Sequence, residues 1–212
     1  MKAKVIEVEG TDGAGKTTAL KYLIESLRAA GKTVLETREV GNPNLPVCVK
    51  LREIVLDPES GLEGTAMEFI FAAMRIQNQK FYKQVGDQYD YIVSDRGWLS
   101  HLAYTDHNVS QQFTDDFYYN VVQPLTEYPN VIAYLSVNTE TALKRRVRRG
   151  EKMDVIEMKG VEFQEKVRKS FDIHRMMLEN ETQGDVKIVE VDANQTVEGV
   201  RAQIDEFVKG LL

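Results

Sequence analysis

The sequence predicts an α/β domain with a parallel sheet and helices on both of its faces. Three observations carry this expectation. Five short β-rich runs recur along the 212 residues, long segments of helical character separate them, and the first run leads through a glycine-rich stretch straight into a helix. Strands that alternate with helices are joined by crossovers, which makes them parallel and covers both faces of the sheet.

The first run is "KVIEVE", residues 4–9, and "EGTDGAGKTT", Glu9 to Thr18, overlaps its end. "TALKYLIESLRAAG" (18–31) then places apolar residues at helical spacing and closes on Gly31, a helix stop signal. "TVLETR" (33–38), "YIVSD" (91–95), "VIAYLSV" (131–137) and "VKIVEVD" (186–192) read as the other buried strands, with a helical run over 66–83 among the connecting segments. "EVGNPNLP" (39–46) and the basic stretch around "RRVRRGEKMD" (145–154) read as the mobile pieces. No repeat, low-complexity tract or linker rich in Pro, Gly or Ser divides the chain, so one domain over 1–212 is expected.

Composition narrows the function classes. Hydrophobic residues make up 42% of the chain, enough for a sizeable core. The net charge is −6, with 33 acidic against 27 basic residues, the wrong sign for a broad face that neutralises nucleic acid. Cys48 is the only cysteine, which rules out an intrachain disulfide and suits a reducing compartment. The N-terminal "MKAKVIEVEG" lacks the apolar core of a signal peptide, and the most apolar helical window, "TAMEFIFAAM", is short and carries Glu68. A cytoplasmic protein without a membrane or nucleic-acid partner is expected. His101, His107 and His174 have no metal-ligand spacing, and one cysteine leaves no zinc set.

Gly10, four residues, Gly15, Lys16 and Thr17 match the phosphate-binding P-loop signature in full, between a strand and a helix as its mechanism requires. Gly10, Gly13, Ala14 and Gly15 let the backbone curl so that successive N–H groups meet phosphate oxygens, and the helix beginning near Thr18 adds its partial positive charge. Lys16 is expected on the β- and γ-phosphates of a bound nucleotide and the Thr17 hydroxyl on Mg²⁺. A glycine-rich turn with a chance lysine is the plain alternative. A GTPase of the Ras type would show N-K-x-D after a later strand, and "LSVNTETALKRR" has nothing like it. A regulatory nucleotide-binding module would carry a further partner-binding domain.

Four more stretches follow in order: "TREVG" (37–41), "FAAMR" (71–75), "SDRGWLSHLAY" (94–104) and "LKRRVRRGEKMDVIE" (143–157). Together with the P-loop they resemble the thymidylate kinase (dTMP kinase) family, in particular its bacterial and viral members. The resemblance extends to "VDANQTVEGVRAQI" near the C-terminus. It implies transfer of the ATP γ-phosphoryl group to dTMP, giving dTDP, with Mg²⁺. It also implies a P-loop nucleoside monophosphate kinase fold on a five-stranded parallel sheet, a short lid at about 145–157, and a homodimer. A broader deoxynucleoside monophosphate kinase is the alternative, and a noncatalytic nucleotide-binding module is the alternative from another class.

Asp95 and Arg96 end the run "YIVSD", at the carboxyl edge where open α/β sheets bind ligands. An arginine there can bridge donor and acceptor phosphates, and Asp95 can orient a magnesium-bound water or hold Lys16. The resemblance places Arg96 on the acceptor phosphate, against the plainer reading of a strand-end ion pair. Arg38 resembles the family's second acceptor-phosphate arginine, or else is a surface charge. After its glutamate this chain has Val40, Gly41 and Asn42, where many members have Pro-Gly-Gly. Asp12 adds negative charge where anions bind, a local cost that suggests a use; the resemblance gives it the 3′-hydroxyl of dTMP, while a turn-forming Asp is the simpler account.

Phe71 and Arg75, four apart on one helix face, suit a pyrimidine by stacking on its ring and donating to its O4. The resemblance gives them those roles; without it Phe71 reads as core and Arg75 as a solvated charge. Tyr104 resembles the tyrosine beneath the deoxyribose, whose bulk crowds a 2′-hydroxyl. Arg145, Arg149 and Lys152 share a stripe, as a solvated helix face also would. The resemblance makes them part of a lid, with Arg145 toward the adenine and Arg149 on the donor phosphate. Lys16, Arg96 and Arg149 are thus the expected catalytic residues. Gly13 agrees with members that rely on lid arginines, whereas Val155, beside Asp154, stands where those members have an arginine. Trp98 is a further departure and has no assigned partner.

Overall fold

The computed structural model describes residues 1–105, 107, 109–149 and 160–212, apart from the side chains of Gln111, Asp115 and Arg149. Five strands, β1 (Lys4–Glu9), β2 (Val34–Arg38), β3 (Tyr91–Asp95), β4 (Val131–Ser136) and β5 (Lys187–Asp192), form one sheet in the order β2-β3-β1-β4-β5. Every pairing is parallel. Each strand falls on the run expected for it, trimmed by one residue at most. The helices are α1 (Lys16–Ala29), α2 (Pro46–Leu56), α3 (Gly64–Val85), α4 (Trp98–Thr105), α5 (Gln111–Phe117), α6 (Thr139–Arg149), α7 (Gly160–Glu181) and α8 (Val197–Lys209). α1 begins two residues earlier than its apolar spacing indicates, because Gly15 at φ 91° already turns the chain into the helix.

The alternation of β1 shows how the sheet is covered. Ile6 and Val8 face α1 and α8, packing with Leu23, Ile24, Leu27, Ile204 and Phe207. Val5 faces the other way, onto Tyr82 of α3. Glu7 and Glu9 also point to that second face and are only 4% and 0% exposed. They are accommodated because the first turn of α4 offers them N–H groups: Trp98 N donates to Glu7 Oε2 at 2.9 Å and Ser100 N to Glu9 Oε1 at 3.1 Å. Beyond α4, Leu99, Ala103, Val167 and Phe171 pack α4 and α7 onto Ile132 and Tyr134 of β4.

α3 buries Glu68, Phe71, Ala72, Arg75, Asn78, Gln79 and Tyr82, a stripe at helical spacing that mixes polar and apolar residues. Buried polar groups in such number need partners, which Glu68, Asn78, Gln79 and Tyr82 find in Thr105, Asn42, Glu127 and Thr37. The strand order places β2 and β3 on one side of β1 and β4 and β5 on the other, so the winding reverses at β1. The crevice beyond the carboxyl end of β1 is therefore where ligands bind in such sheets. Among the described residues no helix is long and apolar enough to cross a membrane.

Candidate active site

The loop after β1 is pressed onto the start of α6. Gly13, at φ 88°, has no room for a side chain, since a Cβ there would lie 2.3 Å from the carbonyl oxygen of Ala142. α1 then starts with no acidic residue in its first turn and no side-chain cap from Gly15, which leaves the positive end of its dipole toward the loop. Lys16 folds back over this loop, its Nζ donating to Gly10 O at 2.9 Å and Thr11 O at 2.8 Å, with Asp12 Oδ1 at 3.8 Å. Burial, and next the charge of Arg96, lower the Lys16 pKa to about 8, although Asp12, Asp95 and Glu9 oppose the change.

Arg96 stands at the end of β3 with φ 70°, unusual for a side-chain-bearing residue. Its backbone N–H donates to Val8 O at 3.0 Å, and its carbonyl accepts from Ser94 Oγ at 2.7 Å. Its guanidinium donates through Nη1 to Gly10 O at 3.2 Å and Ser100 Oγ at 2.9 Å, and through Nη2 to Asp12. It lies 5.3 Å from the ring centre of Tyr104, whose hydroxyl donates to Asp12 Oδ2 at 2.9 Å. Burial works against the Asp12 charge, yet Arg96, Lys16 and Tyr104 bring its pKa down to about 2. Arg38 Nε is 3.8 Å from Asp95 Oδ2, while Asp95 Oδ1 is buried without a hydrogen-bond partner.

These groups line a cleft of about 820 Å³ that runs to α3 in one direction and to Arg145 in the other. At the α3 end, Arg75 is 2% exposed and pairs through Nη2 with Glu39 Oε2 at 2.8 Å, but its Nε and Nη1 have no partner. Burial opposes the Arg75 charge, but Glu39 together with Tyr118, Glu7 and Glu9 outweighs it, so the guanidinium stays protonated. Trp98 lies beneath Arg75, with the guanidinium carbon 5.2 Å from the indole centre. The indole N–H donates to Glu127 O at 3.1 Å, and the rings of Tyr118 and Tyr128 pack against it. Trp98 thus supports the floor under Arg75. Phe71 belongs both to the apolar cluster with Cys48, Val55 and Met74 and to the cleft wall. His101 joins this wall as a neutral imidazole, because burial and then Arg75 push its pKa well down.

At the opposite end Arg145 stands beside Gln195, Val197 and Val200, its Nη2 3.4 Å from Gln195 O. Of the residues singled out in the sequence, Asp12, Gly13, Ala14, Gly15, Lys16, Thr17, Thr18, Arg38, Phe71, Arg75, Asp95, Arg96, Tyr104 and Arg145 all line the one cleft. Gly10 lies behind it and lends its carbonyl to Lys16 and Arg96. The Arg149 side chain and lid residues 150–157, with Lys152, Asp154 and Val155, lie outside the described residues. Sequence reasoning missed Glu39, Arg52 and Ser100. Arg52 donates to Val40 O at 2.7 Å and packs on Gly41, and nothing local in its helix advertised that contact.

The family model described as Thymidylate kinase matches residues 8–204. The chain belongs to the thymidylate kinase family. The thymidylate kinase of Nitrosospira multiformis is 30% identical over 211 residues, covering 98% of this chain and 98% of the relative. That of Vibrio campbellii is 31% identical over 210 residues, covering 96% of this chain and 94% of the relative. That of Legionella pneumophila is 27% identical over 218 residues and covers 99% and 95%. The sheet is accordingly the P-loop nucleoside monophosphate kinase fold that the sequence led us to expect, and a member of the thymidylate kinase family here gathers five arginines, Arg38, Arg52, Arg75, Arg96 and Arg145, around one P-loop.

Proposed function

We propose that this family member transfers the γ-phosphoryl group of ATP to dTMP, with the donor held between the P-loop and Arg145 and the acceptor between Arg96 and Arg75. The observation that carries this reading is the cleft itself, which joins an anion-binding helix terminus to a buried guanidinium with two unused donor atoms. Lys16 and the start of α1 hold the donor phosphates, and Arg145 beside Val197 and Val200 takes the adenine. Arg96 and Arg38 hold the acceptor phosphate. Tyr104 lies beneath the deoxyribose and Asp12 takes its 3′-hydroxyl, Phe71 stacks on the pyrimidine, and Arg75 donates to O4. Arg149 serves the donor phosphates from the lid.

The Thr17 hydroxyl and the unpartnered Asp95 Oδ1 suit a hydrated Mg²⁺ with few direct protein ligands. Such an ion, when bound, draws charge from the transferring group. In the transfer an acceptor phosphate oxygen bonds to the γ-phosphorus as its bond to the β–γ bridging oxygen breaks. The acceptor is already anionic, so no general base is required. Lys16 and Arg96 act by holding two anions in line and offsetting the charge between them.

One kinase domain over 1–212 and a cytoplasmic location, which the single cysteine suits, belong to the same proposal. So does a homodimer, with the exposed Val47, Ile54 and Phe69 of α2 and α3 in its seam; a monomer mass by light scattering would remove that part.

The test is kcat/KM for three acceptors by coupled ADP release. Thymine offers an acceptor at O4, whereas cytosine offers a donor there and would leave two donors face to face with Arg75. The C5 methyl adds only about 1–3 kcal/mol in an apolar pocket. The expected order is dTMP, dUMP, dCMP, with Arg75→Ala narrowing the ratio of dTMP to dCMP. Equal use of dTMP and dCMP by the unmodified protein would favour a broad-specificity kinase instead.

A further inference from the structure

Ser100 links two parts of the structure that the mechanism leaves separate. On one side its backbone N–H and its hydroxyl both donate to Glu9, to Oε1 at 3.1 Å and to Oε2 respectively. On the other its Oγ accepts from Arg96 Nη1 at 2.9 Å. A serine hydroxyl has one proton, and here it is committed to a fully buried carboxylate. Ser100 therefore turns only lone pairs toward Arg96.

We propose that Glu9 is a positioning residue for phosphoryl transfer, fixing the guanidinium of Arg96 through the hydroxyl of Ser100. This rests on the reading of Arg96 as the acceptor-phosphate arginine. Arg96 follows β3 in a left-handed backbone conformation, which is costly for a residue with a side chain and persists only where surrounding contacts hold it. Gly10 O and Ser100 Oγ fix Nη1, while Asp12 takes Nη2. Asp12 is also a candidate for the sugar hydroxyl, so the contacts to Gly10 O and Ser100 Oγ are the ones left to the guanidinium when substrates enter, and of these Ser100 Oγ is the shorter, at 2.9 Å against 3.2 Å. Glu9 in turn has no role toward substrate, being sealed beneath α4. A guanidinium that bridges two phosphates must be held to a fraction of an ångström, and the relay from β1 through Ser100 supplies that rigidity.

Glu7 provides an internal control. It accepts the Trp98 N–H in the same turn of α4 but has no hydrogen bond to Ser100 or Arg96. Glu7→Gln disturbs the same helix start and leaves the hydrogen bonds of the relay in place, but it also removes a charge that acts on Arg75, an effect that the ratio of dTMP to dCMP reads out. In Glu9→Gln the amide oxygen still accepts the Ser100 N–H, but the NH₂ group faces Oγ and turns the serine proton toward Arg96.

Steady-state kinetics in each substrate and dTMP titration calorimetry on the full chain distinguish the cases. Glu9→Gln and Ser100→Ala should each lower kcat/KM for dTMP roughly tenfold to a hundredfold, the range for a buried hydrogen bond to a charged group, with the ATP KM unchanged. The double variant should be no worse than the worse single one. Ser100→Thr should restore the activity that Ser100→Ala loses. Neither substitution should weaken dTMP binding further in an Arg96→Ala background. Losses that multiply, a parallel rise in the ATP KM, or an equal dTMP defect in Glu7→Gln with the ratio of dTMP to dCMP unchanged would overturn the relay. If Glu9→Gln fails to fold, equal activity of Ser100→Ala and Ser100→Thr overturns it alone. An Arg96→Ala variant with normal kcat/KM for dTMP would bring down the reading of Arg96 itself. An inactive Arg96→Ala beside unimpaired Glu9→Gln and Ser100→Ala would remove only the relay.

Discussion

Lys16→Met should lower kcat on the order of a thousandfold, the scale for removing a charged group aimed at the transferring phosphate, while the protein stays folded and loses at most about 3 kcal/mol of stability. The two halves have one cause. Lys16 is buried beside Arg96, and its pKa of about 8 stands against 10.5 for a free lysine. Keeping it charged at neutral pH costs the folded protein about 3 kcal/mol, which methionine relieves. Methionine also gives up the two charge-assisted bonds to Gly10 O and Thr11 O, worth about 1.5–3 kcal/mol each. The balance lies between near zero and about 3 kcal/mol of destabilisation.

The pH dependence has a definite sign. Between about 8 and 10.5 the unfolded chain holds a proton at Lys16 that the folded chain has released. The Lys16 contribution to stability therefore rises with pH through that window. Denaturant midpoints measured across it should climb more steeply in the unmodified protein than in Lys16→Met. Near-normal turnover in the variant would remove the P-loop lysine from catalysis, and a large loss of stability would make its role structural.

Arg96→Ala should cut kcat/KM for dTMP roughly a hundredfold to a thousandfold with little change in the ATP KM. On the proposed reading Arg96 bridges the two phosphates, whereas Arg38, whose Nε lies 3.8 Å from Asp95 Oδ2, serves the acceptor phosphate only. Asp12 would lose its closest cation, and its pKa would rise from about 2. The backbone separates activity from stability. At φ 70° alanine stays in a conformation that costs about 1–2 kcal/mol, whereas glycine adopts it freely. Arg96→Gly should thus be the more stable of the two variants and as inactive. A change confined to the ATP KM in both would place Arg96 on the donor instead.

The five strands were legible because strands of a covered parallel sheet read as short apolar runs, and the P-loop because its glycines obey a strict spacing. Phe71 and Arg75 were legible as a pair only through their shared helix face and the family resemblance. The rest depended on contacts between distant segments. "KVIEVE" alternates as though one face met water, yet Glu7 and Glu9 are buried under a helix that begins almost ninety residues later. Trp98 had no readable role because its partners, Glu127 and Tyr128, come from the segment before β4. Glu39 showed nothing of its ion pair, since Arg75 reaches it from α3 across the cleft.

Trp98 has a practical consequence as well. It is the only tryptophan in the chain, and its indole lies 1% exposed beneath the guanidinium of Arg75. Emission excited at the red edge, where tyrosine does not absorb, therefore comes from a single ring that lies beside the group proposed to meet the pyrimidine. A base that engages Arg75 shifts this emission, while an adenine beside Arg145 leaves it nearly unchanged. Occupancy of the pyrimidine end can then be followed in real time and without a dye while the adenine nucleotide is present.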